Sequence, residues 1–328
     1  MQSDAAGSRV LLIGCGTTTG SALESLAEKM TVVALVRDRD ETALEDDPVH
    51  RRAAELRIPV SGDITLAGVE RLVDQHRPDC VVVSSYHRIL PAQLVAKCRF
   101  VNVHYSLLPR YRGRANVNWA IINGERETGI SIHVLSPGLD AGNILEQRAV
   151  PIFESDTATD LYQRLNELQR DRLGTVVLRH LAGDDGRPQN ESEATYGCTR
   201  LPRDGEIHWA RATREIHDLI RSQTPPFPGA FTYFRAEKLR IWRSEPVVDP
   251  PRYAGRVPGR VIRRSRIPGG VDVLTGDGVL RIQEVQLGTE PRCSAASVLD
   301  SVKLTLGLHS DDLLGRIRAL EASLLGEK

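Results

Sequence analysis

Residues 9–36 read RVLLIGCGTTTGSALESLAEKMTVVALV. Arg9 to Ile13 is a compact apolar run of strand length, and Thr31 to Val36 is a second. Between them lie the loop Gly14-Cys15-Gly16-Thr17-Thr18-Thr19-Gly20 and a helical run to about Met30, with Ala22, Leu23, Leu26 and Ala27 on one face. Strand, helix and strand in so short a span make a βαβ unit, the building block of a sheet covered by helices.

The alternation continues outward. Helices are expected at Arg51 to Leu56 and Leu66 to His76, with a short extended piece at Pro59-Val60 between them. Pro78 closes the second helix, and Cys80 to Ser85 is a strongly apolar strand. Further strands are read at Phe100 to His104, Ile130 to Leu135 and Leu145 to Ile152. Thr157-x-x-Asp160 resembles a capping box and opens a long helix with Leu161, Leu165, Leu168 and Leu173 as its apolar stripe. The expected fold of this part is α/β, a doubly wound, mostly parallel sheet.

The character of the chain then changes. Gly183 to Glu193 is polar and rich in Gly, Asp and Asn, as a linker is; the boundaries fall at 1–186 for the first domain, 187–204 for the linker and 205–328 for the second domain. After a helix at Ala212 to Ser222 and the stiff turn Pro225-Pro226-Phe227-Pro228-Gly229 come short strands: Ala230 to Phe234, Leu239 to Arg243, Gly259 to Ile262, Val271 to Leu274 and Val279 to Leu287. Thr275-Gly276-Asp277-Gly278 suits a hairpin turn. Short strands at this spacing predict a small antiparallel barrel.

Composition narrows the function. The 328 residues carry 43 Lys plus Arg against 43 Asp plus Glu, so the formal net charge is zero and the basic excess typical of nucleic-acid binders is missing. Cys15, Cys80, Cys98, Cys198 and Cys293 are scattered, with no C-x-x-C pair, which argues against a disulfide framework and a zinc site. No apolar run reaches the ~18–20 residues of a membrane span, and Met1 to Ser8 lacks the apolar core of a signal peptide, so a cytoplasmic protein without a metal is expected.

Two stretches invite chemistry. The loop Gly14 to Gly20 offers a nicotinamide-dinucleotide reading, with Arg37-Asp38-Arg39-Asp40 at the end of the next strand placed to meet a ribose; the spacing, however, is G-x-G-x-x-x-G. The other stretch is Phe100 to Ile144. Asn102 and His104 are two apart on one strand and share a face at its end, and Asp140 sits in the glycine-bearing loop Ser136 to Gly142. An amide, an imidazole and a carboxylate converging from two strand ends suit acyl transfer with general acid–base help and an oxyanion to stabilise.

The words Asn-Val-His, then Ser106-Leu-Leu-Pro-Arg-Tyr-Arg-Gly113, Thr128-Gly-Ile-Ser131 and Gly138-Leu-Asp-Ala-Gly142 resemble the formyltransferase family, whose donor is N10-formyltetrahydrofolate. Pro228-Gly-Ala-Phe-Thr-Tyr233 and Lys238-Leu-Arg-Ile-Trp242 are similar to the carboxy-terminal OB-like domain of the methionyl-tRNA and aminoarabinose-type sugar formyltransferases. The resemblance implies a Rossmann-like catalytic domain followed by an OB-like barrel. It implies that a substrate amine attacks the formyl carbon, His104 moves the proton, Asn102 donates to the oxyanion, and Asp140 orients the imidazole and stabilises its charged form. It places Arg88, Ile89 and Leu90, then Ser106, Leu107, Leu108 and Pro109, then Ser136, Pro137, Gly138 and Leu139 around the folate. Arg114 matches a substrate-pocket arginine, and Tyr105, where relatives carry a small residue or proline, is expected to narrow the acceptor pocket or stack on the acceptor.

Arg112-Gly-Arg-Ala-Asn-Val-Asn-Trp119 reads closer to the sugar enzymes than to the tRNA enzyme, and zero net charge points the same way. The expected acceptor is therefore an amino-sugar, nucleotide-linked, or the amine of a natural-product precursor. Methionyl-tRNA formylation is the alternative within the family. A nicotinamide-dependent oxidoreductase and a catalytically silent folate-binding protein are the alternatives outside it. The family contains both monomers and homodimers.

Overall fold

The computed structural model describes residues 7–16, 18–38, 47–264 and 269–326. Thr17, Arg39 and Asp40 of the dinucleotide reading lie outside the described residues. The chain divides into two compact units: 1–117, 126–152 and 160–199 form the first, and 118–125, 153–159 and 200–328 the second.

In the first unit the opening stretch folds as β1 (Arg9–Ile13), α1 (Thr19–Ala27) and β2 (Thr31–Val36). There follow α2 (Pro48–Glu55), β3 (Val60–Ser61), α3 (Leu66–His76), β4 (Cys80–Ser84), α4 (Ala92–Val95) and β5 (Arg99–His104). Next come β6 (Arg112–Gly113), α5 (Asn116–Ile122), which begins in the first unit and continues in the second, and then β7 (Glu127–Val134), β8 (Ile144–Pro151), α6 (Ala158–Leu181) and β9 (Tyr196–Gly197). The local signals are plain in α3: the Thr65 hydroxyl caps its start by accepting from Gly68 N at 3.0 Å, and Arg77 ends it in the left-handed conformation.

The seven-stranded sheet runs β3-β2-β1-β4-β5-β7-β8. The first five strands are parallel, and β7 and β8 are antiparallel additions at one edge. Leu11, Ile13, Ala34, Val36, Val81, Val83 and Phe100 from the sheet pack with Val69 and Val73 of α3 in one buried cluster. The doubly wound, mostly parallel sheet is thus as expected. Residues 187–197, read from sequence as part of the linker, are hydrogen-bonded within this unit: Arg187 exchanges backbone bonds with Ile144, and β9 pairs with β6.

The second unit contains α7 (Thr213–Ser222), β10 (Ala230–Phe234), β11 (Glu237–Pro246), β12 (Val261–Arg264), β13 (Val271–Leu274), β14 (Val279–Leu287), β15 (Cys293–Ser294), α8 (Ala295–Val298) and α9 (Ser310–Gly326). Its antiparallel sheet runs β10-β11-β14-β13-β12, with β15 against β14, and curls around a core that includes Ile216, Ile220, Leu239, Ile241, Val273 and Ile282. The order leaves β10 and β12 at opposite edges, giving a half-barrel in agreement with the OB-like expectation. The hairpin turn is closed by Thr275 N on Gly278 O at 3.1 Å and Gly278 N on the Thr275 hydroxyl at 3.0 Å. Among the described residues no helix is long and apolar enough to cross a membrane.

Candidate active site

The glycine loop after β1 is filled by the protein itself. Gly14 N and Cys15 N donate to Val36 O and Ser85 O, both at 2.9 Å, while Arg37 Nη1 is held by Gly14 O and Gly16 O at 3.2 and 3.1 Å. A Cβ on Gly14 would meet the Thr19 side chain at 2.3 Å, and one on Gly16 would meet Ser85 at 2.6 Å. A phosphate-gripping loop turns free N–H groups and open space toward its ligand. Here the glycines serve close packing, which removes the physical basis of the dinucleotide reading at these residues.

The cluster at β5 is different. The register Asn102↔His133 and His104↔Ser131 sets β5 against β7, so Asn102 and His133 stand directly opposite each other. Because β7 is antiparallel to β5, its C-terminal end lies beside Val101 and away from His104. Asp140 therefore does not arrive from a second strand end at the same edge, as the sequence implied; the loop between β7 and β8 folds back to deliver it. Gly142 permits that return, since a Cβ there would sit 1.8 Å from Val134 O. Asp140 itself adopts φ +49°, and its carboxylate is 11% exposed.

Asn102 Nδ2 donates to Asp140 Oδ1 at 3.3 Å and lies 3.0 Å from His133 Nε2; His104 Nδ1 is 3.5 Å from Asp140 Oδ2. Gly113 N donates to the same Oδ2 at 2.9 Å. The three catalytic candidates read from sequence are thus brought together around one carboxylate.

Proton positions follow from the partners. His133 Nδ1 is 3.0 Å from Val134 O, which can only accept, so Nδ1 carries the hydrogen and Nε2 accepts from the Asn102 amide. His133 is fully buried, and that burial, opposed by Asp140 and reinforced by His104, pushes its pKa down to about 4. It stays neutral and fixes which way the Asn102 amide points. His104 Nε2 is 2.8 Å from Tyr111 O and is likewise the donor. The Asn116 amide is satisfied with its oxygen accepting from His104 Nε2 at 2.9 Å and its nitrogen donating to Tyr111 O and Arg114 O, both at 3.1 Å. Nδ1 of His104, facing Asp140, is thus the basic position of the neutral ring.

A support lies behind the carboxylate. Gln189 Nε2 donates to Asp140 O and Gly142 O, both at 2.7 Å, and its Oε1 accepts from Arg112 Nη2 at 2.9 Å. Arg112, 2% exposed, is neutralised by Glu191 through Nη1 at 2.8 Å and Nη2 at 2.6 Å. His133, Asn116, Gln189 and Glu191 were not singled out from sequence. The histidine in Ile130-Ser-Ile-His-Val134 was visible, but only the antiparallel register links it to Asn102.

The remaining expected site residues are distributed as follows. Ser106 and Leu108 are 1% and 3% exposed, and Pro109 is buried. Their segment is pinned from behind: Ser131 Oγ donates to Ser106 O at 2.7 Å and accepts from Leu108 N at 3.1 Å, and Gln147 Nε2 donates to Leu108 O at 2.8 Å. Leu107 and Ser136 are half-buried, and Arg88, Pro137 and Gly138 are exposed. Ile89 and Leu139 expose 80% and 52% of their surface, unusual for large apolar side chains on two loops, whereas Leu90 joins the sheet core. Arg114 is exposed and donates to His87 O, tying the loop after β5 to the loop after β4.

Tyr105 directly follows the last residue of β5; it is 7% exposed, beside Tyr162, with its hydroxyl donating to Asn166 Oδ1 at 2.7 Å. Both of these contacts are with α6. Among the described residues no group of three His, Cys, Asp or Glu is placed to hold a metal ion.

Comparison with known proteins adds the family. A model described as formyl transferase matches residues 21–177, and one described as formyl transferase, C-terminal domain, matches 201–303. Among solved structures, a HypX variant from Aquifex aeolicus superposes with a TM-score of 0.64 at 17% identity over 90% of this chain and 49% of that one. This chain therefore spans about half the length of the HypX chains it matches. WlaRD, a sugar 3N-formyl transferase, gives 0.62 at 17% identity, covering 87% and 99% of the two chains. The methionyl-tRNA formyltransferase from Clostridium thermocellum gives 0.55 at 19%, covering 73% and 93%. At these identities the structural likeness is one of fold, and the two family models carry the assignment: the chain belongs to the formyl transferase family.

Proposed function

We propose that the protein transfers the formyl group of N10-formyltetrahydrofolate to the primary amine of a small molecule, an amino-sugar carried on a nucleotide, with Asn102, His104 and Asp140 as its catalytic residues. The observation that carries the reading is the Asp140 carboxylate set between Asn102 Nδ2 at 3.3 Å and His104 Nδ1 at 3.5 Å.

The amine nitrogen bonds to the formyl carbon, and the carbonyl electrons move to oxygen. The C–N10 bond then breaks as N10 takes a proton, leaving a formamide and tetrahydrofolate. His104 takes the amine's proton at Nδ1, where the resulting imidazolium lies between Asp140 and the Tyr111 carbonyl, and it returns a proton to the departing nitrogen. Both Nδ2 hydrogens of Asn102 have partners in the free protein. The one on Asp140, at 3.3 Å, is longer than the usual 2.9–3.0 Å and is the one a developing oxyanion can draw away.

The loops carrying Arg88 and Ile89, Ser106 to Pro109, and Ser136 to Leu139 would hold the folate, with exposed Ile89 and Leu139 giving apolar surface for a flat ring. Equal numbers of acidic and basic residues, 43 each, favour a small acceptor over tRNA. The proposal keeps the order read from sequence, a catalytic domain followed by an OB-like domain from 205, with Gln189 and Glu191 of the stretch read as linker supporting the catalytic domain.

The test is mass-spectrometric formyl transfer from N10-formyltetrahydrofolate, with nucleotide-linked amino-sugars set against initiator methionyl-tRNA. One formyl group gained by a sugar, and lost with His104→Ala while the donor still binds, is the expected result. Transfer to the tRNA overturns the acceptor. Undiminished transfer by His104→Ala overturns the mechanism.

A further inference from the structure

We infer that α9 is a self-association element, pairing in parallel with α9 of a second copy of this chain. Its 17 residues, Ser310–Gly326, carry Leu313, Ile317 and Leu320 at spacings of four and three, and these are 39%, 50% and 59% exposed, with neighbouring Leu314 at 49%. None of them belongs to the buried core cluster of the second unit. A helix of this length is marginal in water unless an apolar stripe is covered.

The spacing identifies the cover. In a heptad frame Leu313 and Leu320 are d positions and Ile317 is an a position, the combination that favours two parallel strands. The same frame puts Arg316 at g and Glu321 at e. In a parallel pair a g residue faces the e residue five places on in the partner helix, so Arg316 of one copy meets Glu321 of the other, twice per dimer. An antiparallel pair would set Arg316 against Arg316 and Glu321 against Glu321, so the charges select the parallel form. Gly315 and Ala322 fall at f, away from the seam, where small residues cost the interface nothing. In the free chain Arg316 Nη1 donates to Ala236 O at 3.1 Å, which leaves its other donors for a partner. Asp311, Asp312 and Glu321 outnumber Arg316 and Arg318 on the helix, which disfavours an anionic lipid surface.

Sedimentation of the full chain tests the inference. The wild type is expected to dimerise at micromolar concentration, and Ile317→Glu to stay monomeric with unchanged formyl transfer and with no loss of circular dichroism beyond the helical signal of α9 itself. Arg316→Glu and Glu321→Arg, each alone, turn both interhelical pairs repulsive and should weaken the dimer about tenfold. An equimolar mixture of the two single variants, and the double variant Arg316→Glu with Glu321→Arg, should restore it. A wild-type chain that is monomeric up to its solubility limit, a dimer that survives Ile317→Glu, a double variant no tighter than the single ones, or binding of α9 to anionic vesicles in place of pairing would each overturn the inference.

Discussion

Replacing His133 with glutamine should remove an acid sensitivity from the first unit. The glutamine Oε1 stands where His133 Nε2 stands, so the Asn102 amide keeps an acceptor, but the group no longer titrates. In the wild type the folded-state pKa, about 4, lies below the ordinary 6.5 because burial disfavours the charged ring. The unfolded chain therefore takes up the proton first. Stability is complete above pH 6.5 and falls as the pH drops toward 4. With those two values the loss at pH 5 relative to pH 8 is about 2 kcal/mol, and with an m-value of about 2 kcal/mol/M it moves the urea midpoint by about 1 M. Trp119, Trp209 and Trp242 all lie in the second unit, so fluorescence follows that unit, and the part of the far-UV circular-dichroism transition that fluorescence does not share reports the first. The wild-type midpoint for the first unit should fall about 1 M further than that of His133→Gln between pH 8 and pH 5. Equal shifts in the two proteins would refute the assignment of a buried neutral imidazole beside Asn102.

Other positions give sharper contrasts between stability and turnover. Gln189→Ala deletes the two bonds to Asp140 O and Gly142 O; at about 1 kcal/mol each, kcat should fall about 30-fold with little change in donor KM, and Gln189→Glu should not rescue because a carboxylate cannot donate. Gly142→Ala sets a Cβ 1.8 Å from Val134 O and should cost about 3 kcal/mol or more, read as a lowered Tm with most activity lost. Tyr105→Phe strands Asn166 Oδ1 and should cost about 1–2 kcal/mol in urea unfolding while kcat and acceptor KM stay within twofold; a large rise in acceptor KM would return Tyr105 to the substrate pocket.

What was legible in the sequence was local. Leu66 to His76 was legible as a helical run closed by Pro78, and the structure places the helix over those residues and adds Thr65 as its cap. The hairpin from Val271 to Leu287 was readable because Thr-Gly-Asp-Gly fixes a tight turn between two alternating runs. Strand Gly259 to Ile262 was displaced to Val261–Arg264, and α9 was not read at all, since its stripe forms no part of a core that the pattern of the rest of the chain demands. Of the site, Asn102 and His104 were legible because a period of two on one strand is a local rule. The contacts of Tyr105 with Tyr162 and Asn166 of α6 were not legible, because they join residues more than fifty positions apart.

Nonlocal register decided everything else about the site. In a uniformly parallel sheet the loop after β7 would open at the same edge as the loop after β5, and Asp140 would need only a short reach. With β7 reversed, that loop begins at the far edge and must fold back across the face, an arrangement that a carboxylate at φ +49° does not hold by itself. Three features hold it: the missing side chain at Gly142, the Gly113 N–H on Asp140 Oδ2, and the Gln189 amide on the loop carbonyls. Gln189 and Glu191 come from 187–197, a run whose polar composition reads as linker because its polar groups are spent on the buried Arg112 guanidinium and on backbone carbonyls. The same reversal puts His133 opposite Asn102. One change of strand direction thus accounts for the neutral histidine that sets the amide, for the need of a rear support, and for the failure of composition to reveal it.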